Sequence, residues 1–313
     1  MRQPGSALRT AATCSFSNAA SASPLPFAAR IFATTVSTSA IVVSSLGSDC
    51  VTQAESVPPP SCRMRVVPRE PRKLQVVTDV PERAMVVFAH PDDAEIGSGG
   101  VVAKWIAAGC EVTYVLCTNG DAGTTERSLT PAALAAQRAE EQRAAADFMR
   151  VKHLVMLGYP DGFLEDTREF LGDVVRAIRQ YRPHTVFVHD PYRIRNFQHR
   201  DHRKAGLTTT DAVYPFARDH LHFAEQITHE GLAPHKVREL WYWGADEPDV
   251  IVDVTESIDR QIAALVRHES QMRGFNVATG ETIGERLKKG AAALAEDYGF
   301  QYGAVFRRLV ARR

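Results

Sequence analysis

Two groups of residues in this 313-residue chain have the types and spacing needed for chemistry. The first, His90-Pro91-Asp92-Asp93-Ala94-Glu95-Ile96-Gly97, follows the apolar run Met85-Val86-Val87-Phe88-Ala89. An imidazole and two adjacent carboxylates just past a strand's carboxyl end lie on the ligand-binding edge of an open α/β sheet. On an irregular turn the two carboxylates point in different directions, so one can ligate a metal while the other faces a water. Either aspartate alone could instead cap the next helix; His90 together with both favours a site. The second group, His199-Arg200-Asp201-His202, follows Thr185-Val186-Phe187-Val188 and the loop His189-Asp190-Pro191. Its two histidines are three apart at a helix start and can share one face.

Taken together, His90, Asp93 and His202 offer two imidazoles and a carboxylate with no thiolate. Three protein ligands and one open position characterise a catalytic zinc site rather than a structural one. Zinc, or another divalent ion in its place, would lower the pKa of a water toward roughly 7 and polarise a carbonyl oxygen. Asp92 is then placed to act as general base. His199, if protonated, can stabilise an oxyanion and give a proton to a leaving amine. Gly97-Ser98-Gly99-Gly100 fails as a dinucleotide fingerprint, because the third glycine of that pattern falls on Val102. These glycines are expected to permit close helix packing beside the site.

The elements that must position these residues alternate from about residue 75 onward. Strands are expected at Ala84–Ala89, Val112–Cys117, Leu154–Leu157, Thr185–Val188, Glu239–Trp243 and Val250–Val252. Helices are expected near 97–108, 131–149, 168–181, 201–217, 257–271 and 280–297. That alternation implies an α/β domain with a parallel, doubly wound sheet, here assigned to residues 76–313. Residues 1–63 hold 29 Ala, Ser or Thr, and their only charges before Asp49 are Arg2, Arg9 and Arg30. With Pro58, Pro59 and Pro60, residues 1–75 are expected to form a disordered leader and stiff linker, with a targeting role left open.

Composition excludes several function classes. Lys and Arg number 37, as do Asp and Glu, so there is no cationic surplus for nucleic acid. No apolar run reaches the roughly 18 residues a membrane span needs, and a cytoplasmic location is expected. Five cysteines are too scattered for a disulfide scaffold; Cys14, Cys50 and Cys62 fall in the leader, while Cys110 and Cys117 are expected to be buried thiols.

The segments Ala89 to Gly97 and His199 to His202 resemble the LmbE-like (PIG-L) family of zinc-dependent N-deacetylases. Thr118 to Thr124, Arg138-Ala139-Glu140-Glu141, Leu157 to Gly162 and His268-Glu269-Ser270-Gln271 resemble further family blocks in the same order. The resemblance covers residue 80 to the C-terminus and implies a Rossmann-like three-layer sandwich that removes an acetyl or other N-acyl group from an N-acetylglucosaminyl small molecule. It implies His90, Asp93 and His202 as ligands, Asp92 as base and His199 as charged partner, in agreement with the chemical reading. Asp-Asp-Ala-Glu-Ile-Gly is closest to a bacterial subgroup that includes bacillithiol-pathway deacetylases, among which hexamers occur, so a homo-oligomer is a possible assembly. Two departures stand out: Arg200 replaces a frequent Pro, and Ala94 replaces a frequent Glu.

Other residues carry open alternatives. Arg138 either contacts substrate, as the resemblance implies for some members, or pairs with Glu141 along a helix surface. Asp121 either bonds sugar hydroxyls or belongs to an Asn-Gly turn. Arg200 either favours an anionic substrate or sits on the surface, and His268 either supports the site or makes an oligomer contact. His189 and Asp190 can line the pocket, Tyr192, Arg193 and Arg195 suit a gating or partner loop, and Trp241 and Trp243 suit core or interface packing. Two rival functions are a non-haem iron oxygenase, whose two-His, one-carboxylate triad would go with a β-rich jelly roll, and a carbohydrate-binding module without catalysis. The presence of Asp92 argues against the latter.

Overall fold

A computed structural model describes residues 73–273 and 280–311. The leader, the proline linker and Cys14, Cys50 and Cys62 lie outside the described residues. The strands are β1 (Gln75–Val76), β2 (Arg83–Phe88), β3 (Glu111–Thr118), β4 (His153–Tyr159), β5 (Thr185–His189), β6 (Glu239–Trp243), β7 (Val250–Asp253) and β8 (Gly303–Val310). They form one sheet in the order β1-β7-β8-β6-β5-β2-β3-β4. All pairings are parallel except those of β8 with β6 and β7. The helices are α1 (Asp93–Ala107), α2 (Pro131–Met149), α3 (Arg168–Tyr181), α4 (Arg200–Val213), α5 (Ala224–Thr228), α6 (Ile258–Leu265), α7 (Glu269–Met272) and α8 (Ile283–Ala295).

Strand side chains alternate between two cores, as a period of two requires. Val86 and Phe88 of β2 join Tyr114, Phe187 and Trp241 under α1, α2 and α6. Met85 and Val87 join Val115, Val186 and Tyr242 under α3 and α4. Helices thus cover both faces, giving the expected three-layer α/β architecture. Cys110 and Cys117 are buried free thiols. Both Trp241 and Trp243 are buried, and His268 is wholly buried with its Nε2 3.2 Å from Glu95 Oε2, which removes it from any surface contact.

Helix α1 begins at Asp93 rather than near 97, α5 has no counterpart among the expected helices, and four further details depart from expectation. Edge strand β1 begins at Gln75, one residue inside the segment assigned to the linker, and pairs with Val250. The antiparallel β8 is new; its Arg-interrupted sequence, Gly303-Ala304-Val305-Phe306-Arg307-Arg308-Leu309-Val310, lacks the continuous apolar run of the buried strands. Helix α4 ends at Val213 rather than 217, since Pro215 has no N–H to continue it. The helix expected over 257–271 breaks into α6 and α7.

Strands β2 and β5 are neighbours from which the chain proceeds in opposite directions, β2 to β3 and β5 to β6, which opens a crevice at their carboxyl ends. Glycines let helices close on that crevice. A Cβ on Gly97 of α1 would lie 2.5 Å from the Trp243 indole, and one on Gly206 of α4 would lie 2.6 Å from the His189 carbonyl oxygen. The close approach of α4 to β5 therefore depends on a bare backbone at Gly206. Replacing Gly206 with Ala is expected to push α4 outward and destabilise the fold by about 1–3 kcal/mol, read as a lowered thermal midpoint; an unchanged midpoint would show that the contact relaxes freely.

Candidate metal and catalytic site

The two histidine clusters, more than a hundred residues apart, meet at this crevice. His90 Nδ1 lies 3.2 Å from His202 Nε2 and 3.3 Å from Asp93 Oδ2, and His202 Nε2 lies 3.3 Å from Asp93 Oδ1. Ligands about 2.0–2.1 Å from a tetrahedral ion stand about 3.3–3.4 Å apart, so the donor set has the spacing and the chemistry to hold a small divalent metal. His90 and Asp93 are buried, whereas the His202 side chain is 20% exposed. Three other candidate groups share these residues: His189 with Asp93 and His202, His199 with His90 and His202, and Asp161 and Asp201 with His90.

The far side of His90 is bound by acids. Its Nε2 lies 3.2 Å from both Asp161 Oδ1 and Asp201 Oδ2. A carboxylate on the second nitrogen of a ligating histidine fixes ring orientation and raises basicity. Asp201 is itself held by the Gly162 and Leu164 amides. Burial opposes a charge on His90, but bonds to Asp161, Asp201 and Asp93 outweigh it and raise its pKa to about 11. Sequence reasoning gave no role to Asp161 or Asp201; the signals available were a polar residue just past a strand end and an acid between two histidines. His189 Nε2 lies 3.3 Å from Asp93 Oδ2 and its ring stacks on His202 at 3.9 Å. Burial drives its pKa down to about 4, so it is neutral.

The paired aspartates are electrostatically distinct. Asp93 accepts the His90 amide at 2.7 Å and, against the effect of burial, the imidazoles of His189 and His202 hold it well below the ordinary carboxylate range. Asp92 is pushed well above that range by burial and by the adjacent Asp93 charge. It occupies the N-cap position of α1 but makes no side-chain capping bond, and its backbone sits at φ 101°. A left-handed non-glycine residue without a capping role is strained, which sets Asp92 apart from a routine helix cap.

His199 does cap α4: its Nδ1 accepts the Asp201 amide at 3.2 Å, which leaves the proton of the neutral ring on Nε2. Burial and the nearby His90 and His202 rings lower its pKa. The charged partner expected from sequence is therefore drawn toward a neutral donor. Arg138 does not pair with Glu141, whose carboxylate accepts from Ser270 instead. Buried at 4% exposure, its guanidinium donates to the carbonyls of Pro91, Gly120 and Ala122 and to Asp161. Asp121 is half-buried and accepts the Asp161 amide at 3.0 Å, while its own amide donates to Asn119 Oδ1 in the turn containing Gly120 at φ 66°. Arg200 donates to the Leu164 carbonyl and pairs with Glu165, with 39% of its side chain exposed.

Because His90 holds its proton far above neutrality, metal entry at pH 7 is expected to release at least one proton, and apparent affinity should fall as pH is lowered. Calorimetry in buffers of different ionisation enthalpy reads this; uptake without proton release would count against His90 as a ligand. Asp201→Asn should weaken divalent-metal affinity about 10- to 100-fold, and unchanged affinity would remove Asp201 from the support of His90.

The residues around this crevice also relate the chain to known proteins. Residues 85–213 match the family model PIG-L, GlcNAc-PI de-N-acetylase. Diacetylchitobiose deacetylase of Thermococcus kodakarensis is 32% identical over 190 residues, covering 61% of this chain and 70% of that protein. The 1D-myo-inositol 2-acetamido-2-deoxy-alpha-D-glucopyranoside deacetylase of Segniliparus rotundus is 31% identical over 198 residues, covering 53% of this chain and 58% of that protein. Among solved structures, N,N'-diacetylchitobiose deacetylase from Pyrococcus horikoshii superposes with a TM-score of 0.67 at 31% identity, covering 74% of this chain and 84% of that one. A match that includes both histidine clusters, and a relative covered over 70% of its length, show that this chain belongs to the PIG-L family.

Proposed function

We propose that the protein is a metal-dependent N-deacylase that hydrolyses the amide of an N-acetylated or otherwise N-acylated amino sugar. The observation that carries this reading is the convergence of His90, His202 and Asp93 within 3.3 Å of one another, next to the half-buried Asp92, whose side chain makes no capping bond. The named relatives are deacetylases of diacetylchitobiose and of an acetamido-glucopyranoside, which supports an amino-sugar substrate.

His90, Asp93 and His202 would hold a divalent ion such as zinc, which would supply Lewis acidity to the amide carbonyl and to a water. Asp92 takes the water's proton as the oxygen attacks the carbonyl carbon; its raised pKa suits a group that must later give that proton back. His199 donates a hydrogen bond from Nε2 to the developing oxyanion, and Asp92 passes the proton taken from the water to the departing nitrogen. The C–N bond breaks, the water oxygen remains in the carboxylate, and the nitrogen leaves as an amine. His189 and Asp201 hold Asp93 and His90 in place. Arg138 ties together the loops that carry Pro91, Gly120 and Asp161, and Asp121 stands at the same edge toward the sugar. The mostly parallel sheet is not the jelly roll on which the iron-oxygenase alternative depended.

Asp92→Asn should keep the metal content of the parent protein while lowering amide hydrolysis by about 10²- to 10⁴-fold; normal turnover would show that Asp92 is not the base. His202→Ala should lower bound metal as measured by elemental analysis, and full occupancy would remove it from the ligand set.

A further inference from the structure

A cavity of about 480 Å³ opens at Asp93, His189 and His202 and leads away from them toward β8 and α8. Its walls are largely apolar and include Trp243 at the end of β6, Val254 and Ile258, and Leu287, Ala291 and Leu294 of α8, with Arg193 and Arg286 as the cationic residues of the lining. Two of its polar wall residues are already engaged: Ser98 donates to the Ala94 carbonyl and Gln261 to that of Glu95. Hydrolysis of an acetamide needs room for a single methyl group beyond the reacting carbonyl. A volume of this size is on the scale of a whole small ligand, and water against such walls is readily displaced by an apolar chain.

Strand order gives the cavity a direction. The donor cluster sits at the ends of β2 and β5; the polar residues Asp121 and Asp161 follow β3 and β4 on one side, and the apolar walls belong to β6, β8 and α8 on the other. An amide lying across the cluster would place its two substituents in opposite directions along the sheet. We infer that the cavity receives the acyl chain of the substrate, and that this chain acts on amino sugars carrying a linear N-acyl group of medium length, roughly six to ten carbons. The inference rests on the hydrolytic reading above and extends it from acetyl to longer acyl groups. Hydrolysis would release the chain as a fatty carboxylate and leave the free amine on the sugar.

The full-length, metal-loaded protein is assayed on N-acyl glucosamines from acetyl to decanoyl. The value of kcat/KM should rise about fourfold per added methylene, equivalent to about 0.8 kcal/mol, until the cavity is filled. Independently of turnover, calorimetry should show octanoate binding at least tenfold more tightly than acetate. Gly290 lines the cavity, and a Cβ there would meet nothing within 4 Å, so a Gly290→Phe side chain can start from the cavity wall without displacing a neighbour. It should lower both the octanoyl-to-acetyl kcat/KM ratio and octanoate binding at least tenfold. A flat or falling series with acetyl hydrolysis intact overturns the inference and leaves the hydrolase. So does a gain from an octyl aglycone on N-acetylglucosamine without a gain from the octanoyl amide. Failure to hydrolyse any amide, with Gly290-sensitive octanoate binding retained, removes the hydrolytic reading but supports the cavity as an apolar-chain site.

Discussion

The structure is organised around a costly juxtaposition: two imidazole nitrogens and a carboxylate held 3.2–3.3 Å apart in a largely buried place. Groups whose lone pairs converge repel one another, and unpaired charges there cost several kcal/mol. The fold offsets this by charge. Asp161 and Asp201 hold His90 from behind, His189 holds Asp93, and Arg138 answers Asp161. Asp92, Asp93, Asp161 and Asp201 bring four carboxyl groups to this crevice, answered by protonated His90, by Arg138 beside Asp161 and by Arg200 3.9 Å from Asp201.

Rigidity at the site comes from a few long-range bonds. The Arg138 guanidinium joins the turns after β2, β3 and β4, so none of them moves independently. Gly206 brings α4 against β5, and Gly97 brings α1 against Trp243. Both contacts depend on side-chain absence. They fix the separation of the two histidine clusters more tightly than hydrophobic packing alone would, because a backbone-on-backbone or backbone-on-indole contact has little freedom to adjust.

The sheet also divides the crevice chemically. Polar turns follow β3 and β4, whereas β6, β8 and α8 supply aliphatic and aromatic walls. Antiparallel β8 matters here, since Gly303, Ala304 and Val305 close part of the apolar side.

The sequence by itself determined the α/β class and most element positions, and it singled out His90, Asp92, Asp93, His199 and His202 as candidates, because strand and helix periodicities are local and strand-end polar clusters are visible as text. It did not determine the roles of Asp161, Asp201 or His189, which depend on distances between segments far apart in the chain. Arg138 shows the same limit: its local partner Glu141 was the obvious candidate, yet burial directs it to three turns that only the folded sheet brings together. Protonation was likewise decided by the fold, since burial lowers the pKa of His189 and His199 whereas three carboxylates raise that of His90. Local pattern selects the residue types; three-dimensional packing selects their partners, because Coulombic and hydrogen-bond energies depend on separation in space and not along the chain.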